Sequence, residues 1–331
     1  MEIVTLKDIA KALNLSTSTV SRALRDSYEI NPVTKKMVVD YAEKVNYRPN
    51  PIALSLKENK SRSIGVIVPE IANNFFSQAI NGIEDEAYKR GYHVVIFQSH
   101  ESLEREISNV SHLYARKVDG LVISLSGATT DVSHISKYGH ENFPVVYFDR
   151  VPEIEDVHKV QADNFGGAYD ATTFLINSGK LNIAHITSPP TLSITRERLA
   201  GYRKALEDNG IAYNEDIVRF CRFDPEEAID VIDDLIINHN PDSFFTCSDR
   251  LAINTYQAFQ ARYADVNDQF LFFGFTNLNV AHLFKPPIHT VVQPAYEIGL
   301  EAVKILLDDI EKPKKRVGFE NKILKTEINV K

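Results

Sequence analysis

The stretch TLKDIAKALNLSTSTVSRALR, residues 5–25, decides how the start of the chain folds. Its apolar residues Leu6, Ile9, Ala10 and Leu13 follow the i, i+3, i+4, i+7 spacing of a helix with one buried stripe. Val20, Ala23 and Leu24 form a second stripe. Asn14-Leu15-Ser16 between them leaves room only for a tight turn, in which Asn tolerates a left-handed backbone and Ser16 caps the next helix. Two short helices joined this way form a helix-turn-helix, whose second helix can enter the DNA major groove. That helix opens Thr17-Ser18-Thr19 and carries Ser21, Arg22 and Arg25, a small, polar and basic outer face suited to base edges and phosphates. A solvated face on an ordinary helical hairpin is the alternative.

Working outward, Asn31-Pro32 reads as an N-cap followed by a first-turn proline. A third helix is predicted over 33–45, with Met37, Val38, Tyr41, Ala42 and Val45 on its inner face, closing a three-helix headpiece. Residues 47–60 differ. Arg48-Pro49-Asn50-Pro51 is extended or turning, and 52–57 has room for less than two helical turns. So short a helix is marginal in water and is expected to order only against a partner.

The 331 residues are 44% hydrophobic and 25% charged, enough for two or three domains with a large core. No long apolar run is present, so no membrane span is expected. Glu2 and Asp8 interrupt any signal region. The only cysteines, Cys221 and Cys247, form no C-x-x-C pair, which suits a reducing cytoplasm and predicts neither disulfide nor zinc site. A net charge of −8 argues against a nucleic-acid partner until its distribution is read. Residues 1–60 hold ten Lys+Arg against seven Asp+Glu, a balance of +3, and the rest of the chain holds 27 against 38, or −11. A positive head on an acidic body aims one end at a polyanion.

From Ser63 onward strand-like and helical stretches alternate. Strands are predicted at 64–68, 94–97, 120–125, 145–148, 183–187, 217–220, 243–247, 270–275 and 289–292, with a last one near 323–328. Helices are predicted at 76–90, 103–116, 165–177, 198–209, 225–239, 251–262 and 295–310. Alternation of this kind implies parallel sheets wound on both faces, and so many strands imply two α/β lobes with ligands beyond the carboxyl ends of the strands. No P-loop, G-x-G-x-x-G, G-x-S-x-G or H-E-x-x-H occurs, and the ten histidines are scattered, so neither an enzyme nor a cofactor or metal is expected.

A helix-turn-helix start, a short Pro-flanked linker and a two-lobed α/β body together resemble the LacI/GalR family of bacterial transcription regulators. The motifs that carry the resemblance run the length of the chain. They are T-L-K-D-I-A with S-T-S-T-V-S-R-A-L, Y-R-P-N-P-I-A-L-S-L, S-I-G-V-I-V-P, N-N-F-F, V-D-G-L-V-I, Y-F-D-R, D-N-F-G-G-A, R-L-A-G-Y, G-F-T-N and V-V-Q-P. The resemblance implies a DNA-binding headpiece at 1–46, a hinge at 47–62 with a short DNA-induced helix, and a body at 63–331 for effector binding and dimerisation. Within the body it implies an N-lobe of about 63–162 plus 294–325 and a C-lobe of about 163–293. The fold class expected is thus a helical headpiece followed by two doubly wound, periplasmic-binding-protein-like lobes. Leu6, Thr17, Ser18, Ser21 and Arg22 are placed at the major groove, and Asn50, Ala53 and Leu56 in a hinge helix at the minor groove. Paired leucines from a dimer can wedge between base steps, trading unstacking for a kinked duplex.

For the effector cleft the resemblance implies Phe75, Phe76, Asp149, Arg198, Phe223, Ser248, Asp249, Thr276 and Gln293. Ordinary readings stand beside these: Phe75 and Phe76 as core residues, Asp149 with Arg150 as a salt bridge at a strand end, and Arg196 as a competitor of Arg198. Three departures matter. Asn14 replaces the glycine common at the family's turn, Thr276 stands where several sugar-responsive members have Asp, and Leu192 stands where the purine-responsive branch has a basic residue. The long leucine-rich tail of tetrameric members is absent after Ile328, so a homodimer is expected. The function expected is a cytoplasmic regulator, a repressor, on double-stranded near-palindromic operator DNA, switched by a small-molecule effector, a carbohydrate first. The alternative is a cytoplasmic sugar-binding protein without a DNA role.

Overall fold

The computed structural model describes residues 4–24, 28–47, 60–139, 143–222, 225–263, 270–312 and 318–330. The chain divides into two compact units, Met1–Ser61 and Arg62–Lys331.

In the first unit α1 spans Leu6–Ala12, α2 Thr17–Ala23 and α3 Pro32–Lys44. A capping box starts α1: the Thr5 N–H donates to the Asp8 carboxylate at 2.9 Å while the Asp8 N–H donates to the Thr5 hydroxyl at 3.4 Å. Asn14 adopts φ 51°, the left-handed turn expected of it, and the Ser16 hydroxyl accepts the Thr19 N–H at 3.0 Å. Asn31 caps α3 by accepting the Val33 N–H at 2.9 Å. Ile9, Ala10, Val20, Ala23, Val38 and Ala42 close the core. Met37, expected inside, is 43% exposed beside Val33 at 77%. Its place one position before Val38 turns it about 100° away from the stripe that docks.

The second unit holds two six-stranded sheets. The first contains β1 (Ser63–Val68), β2 (His93–Gln98), β3 (Leu121–Ile123), β4 (Val145–Phe148), β5 (His158–Ala162) and β11 (Asn321–Leu324), all parallel, in the order β11-β5-β4-β3-β1-β2. The second contains β6 (Ile183–Thr187), β7 (Val218–Phe220), β8 (Ser243–Thr246), β9 (Leu271–Phe275), β10 (Ile288–Val292) and β12 (Glu327–Asn329), in the order β12-β10-β9-β8-β6-β7, with only β12 antiparallel. The helices are α4 (Asn74–Lys89), α5 (Leu103–Ala115), α6 (Ser133–Gly139), α7 (Asn164–Asn177), α8 (Ser193–Asp208), α9 (Pro225–Asp234), α10 (Asp249–Tyr263) and α11 (Ala295–Glu311).

Each sheet is covered on both faces. From β1, Ile64, Val66 and Val68 pack with α4 and α11, whereas Ile67 points into the layer of Val110 and Leu113 on α5. The second sheet likewise separates two apolar layers. Burial on both faces is why these strands read as unbroken apolar runs. Helices α4 and α11 cross closely: a Cβ on Gly82 would lie 2.1 Å from the Tyr296 carbonyl oxygen, and one on Gly299 2.0 Å from that of Ala79. Only glycine permits that approach.

The structure also departs from the sequence reading in its elements. The last strand is two: β11 joins the first sheet, and after Lys325-Thr326 the chain enters the second as β12. Strand β5 and helix α6 were not anticipated. Helix α8 begins at Ser193, so Arg198 lies in its second turn and does not open it. Helix α10 begins at Asp249 rather than Leu251, which brings that carboxylate to the helix start.

Candidate functional site

On the headpiece, Thr17, Ser18 and Arg22 are exposed and Ser21 is half-buried, all on α2. The Ser18 hydroxyl lies 2.7 Å from that of Ser16, so the cap and the outward face share one network. Arg22 pairs with Glu29 at 3.1 Å, both side chains about half exposed. Leu6 is half-buried against the headpiece core. Arg25, Asn50, Ala53, Leu56 and Phe223 lie outside the described residues.

In the body, loops from the carboxyl ends of both sheets converge on a narrow cleft with a cavity volume of about 30 Å3. Phe75 and Phe76 reach it from the first turn of α4, which Asn73 caps by accepting the Phe75 N–H at 2.8 Å. Their rings meet edge to face at 5.3 Å, and Phe76 meets Phe148 in the same way at 6.2 Å. Asp149 and Arg150 follow β4, and Asp149 is held at φ 58°. Arg198 enters from α8, Ser248 and Asp249 from the start of α10, and Gln293 from the end of β10.

Arg198 is fixed on three sides. Its Nε donates to the Asn164 side-chain carbonyl at 2.9 Å, an Nη donates to the Cys247 carbonyl at 2.5 Å, and its guanidinium lies 4.0 Å from the centre of the Phe275 ring. The last contact is a cation–π stack in a desolvated setting. Arg150 is held by Glu101, both of whose oxygens lie 2.8 Å from one Nη. Asp249 accepts the Asn277 N–H at 3.0 Å on one oxygen, and the buried carboxylate also faces the Thr276 hydroxyl and the Phe75 N–H. Gln293 Nε2 is buried toward the Asp149 carboxyl.

Burial governs the charges here. It lifts the Asp149 carboxyl to about 6, opposed by Arg150, Arg198 and Gln293. It also raises Asp249, opposed by the Thr276 hydroxyl, the N–H groups of Asn277 and Phe75, and Arg198. Arg198 is pushed down by burial, with Asp149 and Glu197 among the opposing groups. Behind the cleft His185, stacked on Tyr202 at 4.7 Å, falls to about 3, and the Cys247 thiol rises to about 11. Both respond chiefly to burial and stay uncharged at neutral pH.

Phe75, Phe76, Asp149, Arg198, Ser248, Asp249 and Gln293 are thus brought together. Thr276 stands one step back against Asp249, its hydroxyl accepting the Leu278 N–H at 3.2 Å. The Ser248 hydroxyl accepts the Leu251 N–H at 3.2 Å and so caps α10 as well. Asn73, Arg150, Ile194 and Phe275 also line the cleft, and Asn277 braces it. The adjacency of Arg150 to Asp149 was visible in the sequence; Phe275 and Asn277 fall in the G-F-T-N motif, but only Thr276 of it was read as a cleft residue. Among the described residues no group of His, Cys, Asp and Glu could hold a metal ion, and no helix is long and apolar enough to cross a membrane.

Comparisons with known proteins agree with this architecture. Residues 5–50 match the family model described as bacterial regulatory proteins, lacI family, and residues 64–314 match the periplasmic binding protein domain. The HTH-type transcriptional repressor PurR of Vibrio campbellii is 30% identical over 310 residues, 93% of this chain and 92% of that protein. A solved structure of the transcriptional regulator CelR in complex with cellobiose is 26% identical with a TM-score of 0.73, covering 99% of this chain and 98% of that one. The lac repressor dimer bound to operator and the anti-inducer ONPF is 22% identical with a TM-score of 0.86, over 99% and 98%, and shares the fold. The relatives regulate transcription and are not enzymes. A helix-turn-helix start fused to a two-lobed body with a cleft, matched over nearly its whole length, makes this chain a DNA-binding transcriptional regulator of the lacI family.

Proposed function

We propose that this protein is a cytoplasmic repressor that binds a near-palindromic operator as a homodimer and releases or tightens its grip when a carbohydrate enters the cleft. One observation carries the effector reading. Two phenylalanine rings face a cleft in which the buried Asp249 carboxylate and the buried Gln293 amide converge beside Asp149 and Arg198. Apolar ring faces with convergent acceptors and donors suit a sugar, whose CH faces pack on aromatics while its hydroxyls bridge both kinds of group. Asp149, Phe75 and Phe76 come from the first lobe and Arg198, Asp249 and Gln293 from the second or its edge, so a bound molecule bears on both. The CelR structure, a cellobiose complex, supports the same class of ligand.

Two headpieces with α2 of each in successive major grooves would read the two halves of a symmetric site. Leu6, Thr17, Ser18, Ser21 and Arg22 belong to that contact, and Asn50, Ala53 and Leu56 to the hinge beside it. Thermal shift of the full chain across a sugar and nucleoside panel, followed by operator retention with each ligand that stabilises it, tests the reading. Stabilisation by a nucleoside and by no sugar would replace the carbohydrate with a nucleoside effector.

A further inference from the structure

Glu101 lies outside the cleft but controls a charge inside it. Its carboxylate holds Arg150 at 2.8 Å through both oxygens and also accepts the Gly127 N–H at 2.7 Å. The loop that carries it is tightly formed: His100 and Glu101 both have left-handed backbones, φ 48° and 58°, and the Ser102 hydroxyl accepts the Arg105 N–H at 3.3 Å to start α5. Arg150 in turn lies over the Phe76 ring at 5.8 Å, facing the cleft. The cleft therefore holds the guanidiniums of Arg150 and Arg198 against the carboxyls of Asp149 and Asp249, with a third carboxylate, Glu101, directly behind.

Anions are commonly held by the free N–H groups at helix starts. Two helix starts at this cleft are already filled by their own side chains. The Phe75 and Phe76 N–H groups donate to Asn73 at 2.8 and 3.4 Å, and the Leu251 N–H donates to Ser248. The start of α8 has no side-chain cap, and buried Leu192 and Ile194 flank it beside Ser193 and Thr195.

We propose that Glu101 sets the charge preference of the cleft, neutralising Arg150 so that the site takes uncharged sugars and rejects their phosphate esters; this rests on the carbohydrate reading above. A phosphate dianion would meet an arginine already paired and carboxylates on both lobes. To bind, it must pull Arg150 from Glu101, the carboxylate that also holds the Gly127 loop. That loop touches the second lobe, since the Thr191 hydroxyl donates to the Gly127 carbonyl at 3.1 Å. Glu101 acts through Arg150 and is a positioning residue.

The test compares the full chain with its Glu101→Gln variant, which keeps the size and an acceptor for Gly127. Each is titrated by thermal shift and calorimetry with inorganic phosphate, and with free sugars paired with their phosphate esters. The expected result is that wild type prefers each free sugar to its ester and that Glu101→Gln raises affinity for inorganic phosphate and for the esters by roughly tenfold or more, as loss of one nearby charge requires. A merely structural role would weaken sugar and ester alike. Equal phosphate affinity in the two proteins, or tighter binding of an ester than of its sugar by wild type, would overturn the proposal while leaving a carbohydrate effector in place. Silence toward every sugar would remove the carbohydrate reading, and the phosphate comparison would still judge Glu101. Should Glu101→Gln fail to fold, Glu101→Asp, with a shorter reach to Arg150, is expected to move the ester-to-sugar ratio in the same direction, and an unchanged ratio would overturn the proposal.

Discussion

The side-chain amide of Asn277 is paired with the main chain of Gln293, donating to its carbonyl at 2.8 Å and accepting its N–H at 2.9 Å. This fastens the loop after β9 to the end of β10. The Asn277 N–H meanwhile donates to Asp249, and its side-chain amide reaches Gln78 on α4 of the other lobe at 3.1 Å. Asn277→Ala would leave buried Gln293 backbone groups without partners, which costs on the order of 2–4 kcal/mol for two such groups. We expect a lower thermal midpoint of the full chain together with a weaker effector response, both read in one thermal-shift titration. A midpoint within experimental error of wild type would show the pairing to be incidental.

Asp149 gives the stability of the body a definite pH dependence. Its folded-state pKa stands at about 6 against an ordinary 3.8, so the folded state binds the proton more tightly than the unfolded state does. Stability therefore falls as pH rises from about 4 to 6, by about 3 kcal/mol from this group alone, and is level above that window. Asp149→Asn removes that slope. Midpoints of both proteins between pH 4 and 7.5 should converge toward the acid end and separate toward neutrality, with the variant more stable at pH 7. Parallel curves would mean that the carboxyl is ionised throughout.

How far the sequence could be read depended on whether a signal was local. Strand β1 was visible because burial on both faces leaves Ile64, Val66, Ile67 and Val68 contiguous. Asn14 and Ser16 announced their turn because backbone conformation and capping are properties of single residues. Strand β5, HKVQA, escaped because its polar residues are used at long range: His158 accepts the Glu320 N–H at 3.0 Å and faces Asp309 at 3.1 Å, pinning β11. The 323–328 stretch looked like one strand because nothing in it marks that the two sheets share its neighbours. Phe75, Asp249 and Gln293 were reachable through motif resemblance. Asn277, Phe275 and Glu101 act on residues far away in the chain, and no periodicity records that.

Arg198 tests the site itself. Its planar fork serves Asn164 and Cys247 while its face covers Phe275, three contacts that a lysine ammonium cannot make together. Arg198→Lys is expected to lower ligand affinity at least ~100-fold, about 2.7 kcal/mol, because both a charge-assisted donor and a stacked surface are lost. Calorimetry with the ligand found by the panel is the measurement. Retained affinity in the variant would move the role to Arg196, whose guanidinium instead bonds the Pro190 and Thr191 carbonyls at 2.8 and 3.0 Å and pairs with Glu153.

Arg22 separates DNA contact from headpiece stability. Its pairing with Glu29 is between exposed side chains, so losing it costs the fold under ~1 kcal/mol. Arg22→Ala should therefore leave the headpiece transition nearly unmoved. Operator binding should weaken by about 1–3 kcal/mol, with relaxed specificity at one position if Arg22 reads a base, or with a salt dependence shallower by about one ion if it meets a phosphate. Ser16→Ala is the contrasting change: the hydroxyl caps α2 through the Thr19 N–H, so its removal should destabilise the headpiece by about 1 kcal/mol and weaken all DNA sequences alike. Binding titrations at several salt concentrations on a specific and a random duplex distinguish the two patterns. An Arg22→Ala protein that keeps full affinity and an unchanged salt slope would take that side chain out of the interface.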